Sequence, residues 1–336
     1  MSNASTEISI IDPSQHEIHF RFDGAYRNIA SVQFIDVAAD GSTSVGKGTT
    51  QLSEQFVAHV DDRRCALRAI PSDEKDINIK RIETFRRKIG APNKATLYLG
   101  TKGYQNALEL LDNPTSESEG YYEGVTDVAL VKRNPELESL NGTEITEAFA
   151  IHEIAHSSAT INTILAITKS RRGLLLSKST TEFVRNRMGF YVRDAHSNRT
   201  GSTLEEGYAD LERGLYVRDA NLVTQFTSRA SNYDQFMRSP IPSHYMYKQG
   251  NIKEPVLTFS QSTIPAAILE ILIEHDQEFL NTLRKSRQDV AELANVACRM
   301  EHLMPGLHDR MLTTTKTDGV TSIYKDVLKR FKPPTS

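Results

Sequence analysis

His152-Glu153-Ile154-Ala155-His156, followed fifty residues on by Glu206-Gly207-Tyr208-Ala209-Asp210, are the two segments that decide how this chain is read. Both are expected on helices. Thr143 stands at the start of the first as an N-cap, with Glu144 and Glu147 in the first turn, where carboxylates favour the helix dipole. The second is expected to begin near Ser202-Thr203, with Glu205 three residues past Ser202 as the partner in a capping box. Residues four apart share a helix face. His152 and His156 therefore present two imidazoles to one point, and Glu206 and Asp210 present two carboxylates. Glu153 lies about 100° around the helix from His152, so it reaches a water beside the imidazoles rather than the ion they would hold.

Two ring nitrogens and one carboxylate oxygen suit zinc, one ion per chain. A Glu-x-x-x-Asp pair can put one carboxylate on the ion and the other behind a ligating histidine, whose second N–H usually needs such a partner. Glu205 is adjacent and competes for the ligand position; register favours Glu206, which alone makes the four-residue step to Asp210.

His152-Glu-Ile-Ala-His156 with Glu206-Gly-Tyr-Ala-Asp210 resembles the gluzincin group of zinc metallopeptidases, whose thermolysin-like and aminopeptidase-like members carry such a third-ligand segment. The resemblance covers roughly residues 95 to 215. It implies His152, His156 and Glu206 as metal ligands, Glu153 as general base and Asp210 as the carboxylate behind a ligand. It also implies a zincin-like fold in which a strand ahead of the first helix forms the edge along which an extended peptide lies, and Val125 to Val131 is the strand expected there. The implied reaction is hydrolysis of a peptide or protein substrate by a metal-activated water, with Glu153 moving the proton. A further donor to the oxyanion is expected in Ser243-His244-Tyr245-Met246-Tyr247, with His244 and Tyr245 as the residues chosen. Ser157 and Ser158 depart from the apolar residues commoner after the second histidine. No Gly-x-x-His follows, which disfavours a three-histidine site, and no aminopeptidase signature is evident. The alternative is a non-catalytic zincin-like binding or regulatory module with a structural zinc; retention of Glu153 weighs against it.

The 336 residues are 38% hydrophobic and 25% charged with a formal net charge of −3. That balance gives no bulk electrostatic reason to expect nucleic acid or an anionic membrane as a partner, and it does not specify an oligomeric state. Lys80-Arg81 and Arg86-Arg87-Lys88 read as solvated helix faces. Cys65 and Cys298 are far apart and read as small core residues rather than a disulfide framework or thiolate site. Met1 to His16 lacks the apolar core of a secretory signal. The longest apolar run, Ile264 to Ile273, is too short to span a bilayer, so the expected location is cytoplasmic.

The expected fold class is α+β: a small mixed sheet packed on the active-site helix, with a mainly helical C-terminal lobe. The expected organisation is a β-rich region over 1–70, a zincin-like catalytic core over 71–225 and a helical region over 226–336. Strands are expected at Ile8 to Ile11, Glu17 to Phe22, Ser31 to Val37 and Ala95 to Leu99. Helices are expected over 73–89, near Tyr104 to Leu111, and at Ile264 to Arg284, Gln288 to His302 and Ile323 to Phe331. His196 and His275 are isolated and read as structural. Gly189 to Ala195 echoes Gly214 to Ala220, but two copies do not make a repeat architecture.

Overall fold

Val128-Ala-Leu-Val131 is a continuous apolar run, the pattern of a strand covered on both faces. It forms the middle of a three-stranded sheet. In the computed structural model, which describes residues 17–18, 29–38, 42–45, 50–91, 96–100, 104–111, 118–159, 162–172, 177–193, 198–289 and 291–331, the chain begins with β1 (Glu17–Ile18), β2 (Ile29–Val37), β3 (Thr43–Val45), α1 (Thr50–Arg68) and α2 (Ile79–Lys88). There follow β4 (Thr96–Gly100), α3 (Tyr104–Leu110), β5 (Gly120–Glu123), β6 (Val128–Lys132), α4 (Pro135–Asn141) and α5 (Glu144–Ser157). The sheet runs β4-β6-β5, with β4 parallel and β5 antiparallel to β6. The edge strand facing the site is thus β5, not the segment Val125 to Val131. Asp127, with φ of +56°, closes the turn between β5 and β6.

Between α5 and α6 (Ser202–Asp219) lie β7 (Asn162–Arg172), β8 (Ser177–Met188), β9 (Tyr191–Arg193) and β10 (Arg199–Thr200). β7 and β8 form a long antiparallel hairpin, and β2 joins β7 in parallel. The N-terminal strands therefore belong to one seven-stranded sheet with a hairpin inserted between the two motif helices. Within residues 1–70, α1 spans most of 50–70 and buries Phe56, Val60 and Leu67 at helical spacing. Ile8 to Ile11 and His196 lie outside the described residues.

The C-terminal part contains α7 (Val223–Thr227), α8 (Tyr233–Met237), a 3-10 turn at Ser243–Tyr245, and the hairpin β11 (Tyr247–Gly250) with β12 (Pro255–Thr258). Then come α9 (Thr263–His275), α10 (Phe279–Ser286), α11 (Ala291–Leu303), α12 (Leu307–Thr313) and α13 (Thr317–Phe331). The helix expected over Ile264 to Arg284 is two helices, broken at Asp276, whose φ and ψ of −139° and 95° are extended. One apolar cluster joins α2, α5, α6 and the C-terminal helices. Among the described residues no helix is long and apolar enough to cross a membrane.

Several local expectations are corrected by packing. Cys65 and Cys298 are both exposed and unbridged, not core residues. Lys80, Arg87 and Lys88 are exposed as expected, but Arg86 is buried and Arg81 reaches across to Glu147 of α5 at 2.5 Å, so those two belong to helix contacts rather than to a solvated face. Thr143 makes no capping bond; its hydroxyl donates to the Asp76 carbonyl. Gly201, in the left-handed region, holds the N-cap position of α6 in place of the expected capping box.

Candidate metal centre

α5 and α6 are buried on nearly every side, and the exceptions mark the site. From Ile145 to Ala159 every residue is buried except Phe149 and His152; from Leu204 to Val217 every residue is buried except Glu206. All three line one cleft of about 620 Å³, together with Glu153, His156 and Asp210. An acidic helix face turned to solvent is therefore not what the second segment is: Asp210 is 1% exposed, whereas the Glu206 side chain is 51% exposed and opens into the cleft.

The two imidazoles are oriented in the same way. His152 Nδ1 lies 3.2 Å from Asp210 Oδ1, and its Nε2 faces Glu206 Oε2 at 3.3 Å. His156 Nδ1 lies 3.0 Å from Glu205 Oε1, and its Nε2 stands 3.7 Å from Glu206 Oε2. A carboxylate on Nδ1 fixes the tautomer that leaves Nε2 with its lone pair, as metal ligation requires. The ligand atoms of His152, His156 and Glu206 all lie within 4.8 Å of one another, so these residues form a group that can hold a metal ion.

Each backing carboxylate is itself held. Asp210 pairs with Arg213 Nε at 2.6 Å and accepts from Ser260 and Thr263 hydroxyls, both at 2.7 Å. Glu205 takes two bonds from the fully buried Arg287, at 2.5 and 2.6 Å, and one from the Phe190 backbone N–H at 3.1 Å. Glu205 thus meets His156 at Nδ1 as Asp210 meets His152, on the side away from Glu206.

The electrostatics fit a divalent cation. Glu153, Glu205, Glu206 and Asp210 stand against Arg185, Arg213 and Arg287, so carboxylates outnumber guanidinium groups by one. Burial by itself would lower the histidine pKa values, but bonds to Asp210 and Glu206 push His152 up to about 10. Glu206 and Glu205 likewise outweigh burial and push His156 up to about 9. Burial opposes ionisation of Glu205, yet Arg287 and His156 hold it down to about 2. Glu206 is held well below the usual carboxylate range against its own desolvation, by His156 and His152. Protonated imidazoles, or a divalent cation with neutral histidines, offset the carboxylates that face them.

Glu153 is buried beside the ligands beneath Gly120, the first residue of β5; a Cβ at Gly120 would overlap its carboxylate. Desolvation raises its pKa, with the two histidines acting against that rise. His244 and Tyr245 do not join the cleft. Tyr245 is 1% exposed with its ring on Gly214, and His244 Nε2 pairs with Glu270 at 3.0 Å. The next turn of chain brings Tyr247 into the cleft instead, stacked edge-on against Phe149. Among the described residues its hydroxyl makes no hydrogen bond. Tyr247 was within the segment named from sequence, and strand alternation from Met246 could have singled it out. Glu205, Gly120 and Arg287 had no comparable signal, because their roles depend on elements far apart in the chain.

No protein-family model, curated protein or solved structure matches this chain.

Proposed function

We propose that the protein is a zinc-dependent peptidase with His152, His156 and Glu206 as ligands, Glu153 as general base and Asp210 as the anchor of His152. The observation that carries this reading is the convergence of two carboxylate-backed imidazoles on Glu206 in an open cleft, with a buried glutamate beside them. Structural zinc sites usually close with four protein ligands, whereas catalytic sites keep three and leave a position open. Three ligands bordering a cleft favour the catalytic form over a structural zinc.

Bound there, zinc would supply Lewis-acid polarisation of a carbonyl and lower the pKa of a water towards about 7. Glu153 accepts the proton of the attacking water at a carboxylate oxygen and returns it to the leaving amine, its burial beside the candidate ligands supporting that role. Tyr247 is the preferred donor to the developing oxyanion. Burial raises its pKa first, so it keeps its proton at neutral pH. That β5 pairs with β6 on one side and borders the cleft supports binding of an extended peptide by strand addition on its other side.

The test is a peptide mixture incubated with zinc-loaded protein, with newly formed amino termini identified by mass spectrometry. Cleavage by the wild type and none by Glu153→Gln, at equal zinc content, is the expected result. Equal cleavage by that variant would remove Glu153 as the base.

A further inference from the structure

A second cavity of about 830 Å³ adjoins the metal cleft, and Tyr121, Arg185, Met188 and Glu206 line both. Four arginines border it: Arg63 from α1, Arg185 from β8, Arg193 from β9 and Arg199 from β10. Its carboxylates are mostly directed elsewhere. Glu205 is bound by Arg287 and His156. Glu206 faces the histidines. Glu123 turns into its own loop and accepts from the Val125 and Thr126 N–H groups and the Thr126 hydroxyl. Glu182 is exposed at the rim. Four guanidinium groups thus meet four carboxylates on this wall, and of the four arginines Arg185 and Arg199 are in no ion pair among the described residues.

Arg185 stands at the junction. Its Nη1 contacts Met188 Sδ at 3.2 Å and its guanidinium lies 5.0 Å from the Tyr191 ring centroid. Among the described residues it is in no ion pair. A guanidinium held by a thioether and an aromatic face keeps N–H donors for an incoming carboxylate, the anion its fork geometry matches best. A peptide laid along β5 crosses Tyr121, which borders both cavities, so a side chain or terminus next to the scissile bond enters the second one.

Resting on the peptidase reading, we propose that this arginine-lined chamber is a subsite for a carboxylate adjacent to the scissile bond, making acidic peptides the preferred substrates. The carboxylate is supplied either by an Asp or Glu side chain or by the peptide's C-terminus. Neither source needs a change in the metal chemistry.

The experiment compares peptides of one core sequence carrying Glu, Gln or Lys on either side of the cleaved bond, each as C-terminal acid and amide. The readout is kcat/KM for zinc-loaded wild type, Arg185→Gln and Arg199→Gln. The wild type is expected to prefer a carboxylate-bearing peptide over its neutral counterpart by about tenfold. That preference is expected to fall towards unity in both variants, through loss of rate on the carboxylate-bearing peptide. Preference for Glu regardless of terminus assigns the carboxylate to the side chain; preference for acid over amide assigns it to the terminus. Equal rates on charged and neutral peptides, or a preference unchanged in both variants, would overturn the proposal. A binding arm uses zinc-loaded Glu153→Gln protein and the same peptides, fluorescently labelled, so the subsite is read without turnover. If no peptide is cleaved, binding that depends on peptide charge and on Arg199 upholds the chamber while the peptidase reading falls; charge-independent binding overturns the chamber.

Discussion

At the residue scale, the site is a contest between protons and a cation. In the metal-free protein the folded pKa values of His152 and His156, about 10 and about 9, lie above the ordinary 6.5. Their protonation therefore stabilises the metal-free fold fully below pH 6.5, and that contribution is lost as pH rises through about 9 to 10. Metal binding has to displace these protons. Calorimetry of zinc binding at pH 7.5, in buffers of different ionisation heat, should show release of about two protons per ion, and apparent affinity should climb with pH. Absence of proton release would mean the imidazoles are not the ligands. Gly120 offers a second test at this scale. Its substitution by Ala puts a methyl where the Glu153 carboxylate sits, so that carboxylate must swing away. Gly120→Ala should lower kcat at least about tenfold with unchanged zinc content; a wild-type kcat would show that the base needs no such clearance.

At the scale of elements, α6 does most of the organising. Gly207 and Gly214, two turns apart on it, admit Pro265 of α9 and the Tyr245 ring at distances no Cβ would allow. Its charges are buried and paired on several sides: Glu205 with Arg287, Asp210 with Arg213, and Glu212 with Arg284 at 2.7 Å. Arg287→Ala leaves Glu205 buried without its counter-charge and should cost about 3–5 kcal/mol, measured by urea unfolding of the metal-free protein. Loss of zinc affinity should accompany it, through His156. A variant of wild-type stability would show that the pair is not needed to hold the helix. The two motif helices were legible in the sequence because their chemistry repeats every four residues. The edge strand was misplaced because Val128 to Val131 reads as a good strand, yet its unbroken apolar run belongs to a strand covered on both sides. Gly120-Tyr-Tyr-Glu123, the true edge, is short and begins with glycine. The β7–β8 hairpin is not legible for two reasons: Ile164-Leu-Ala-Ile167 of β7 is a short apolar run that periodicity alone does not assign, and β8 is mostly Thr, Ser and Arg without clear alternation.

Across the whole molecule, the candidate site draws on segments the sequence reading kept apart. Residues 226–336 supply Tyr247 to the cleft, Ser260 and Thr263 to Asp210, and Arg287 to Glu205. The hairpin between the motif helices supplies Arg185 and Met188 to the cleft wall. The three regions expected from local pattern thus all contribute around the candidate metal group, and contacts of this range leave no trace in that pattern. The four-residue spacings and Asp210 behind one imidazole were readable; Glu205 behind the other, and the arginines that hold both carboxylates, were not. Because the ligand set is spread over α5 and α6 and braced from α9 and α10, occupancy should report on the whole arrangement. The most direct measurement is zinc content by elemental analysis after dialysis against a slight excess of zinc, for wild type, His156→Ala and Glu206→Ala. The account predicts about one zinc per chain in the wild type and its loss in both variants, with the fold retained by circular dichroism. A wild type that takes up no zinc, or variants that keep it, would contradict the metal centre on which the function rests.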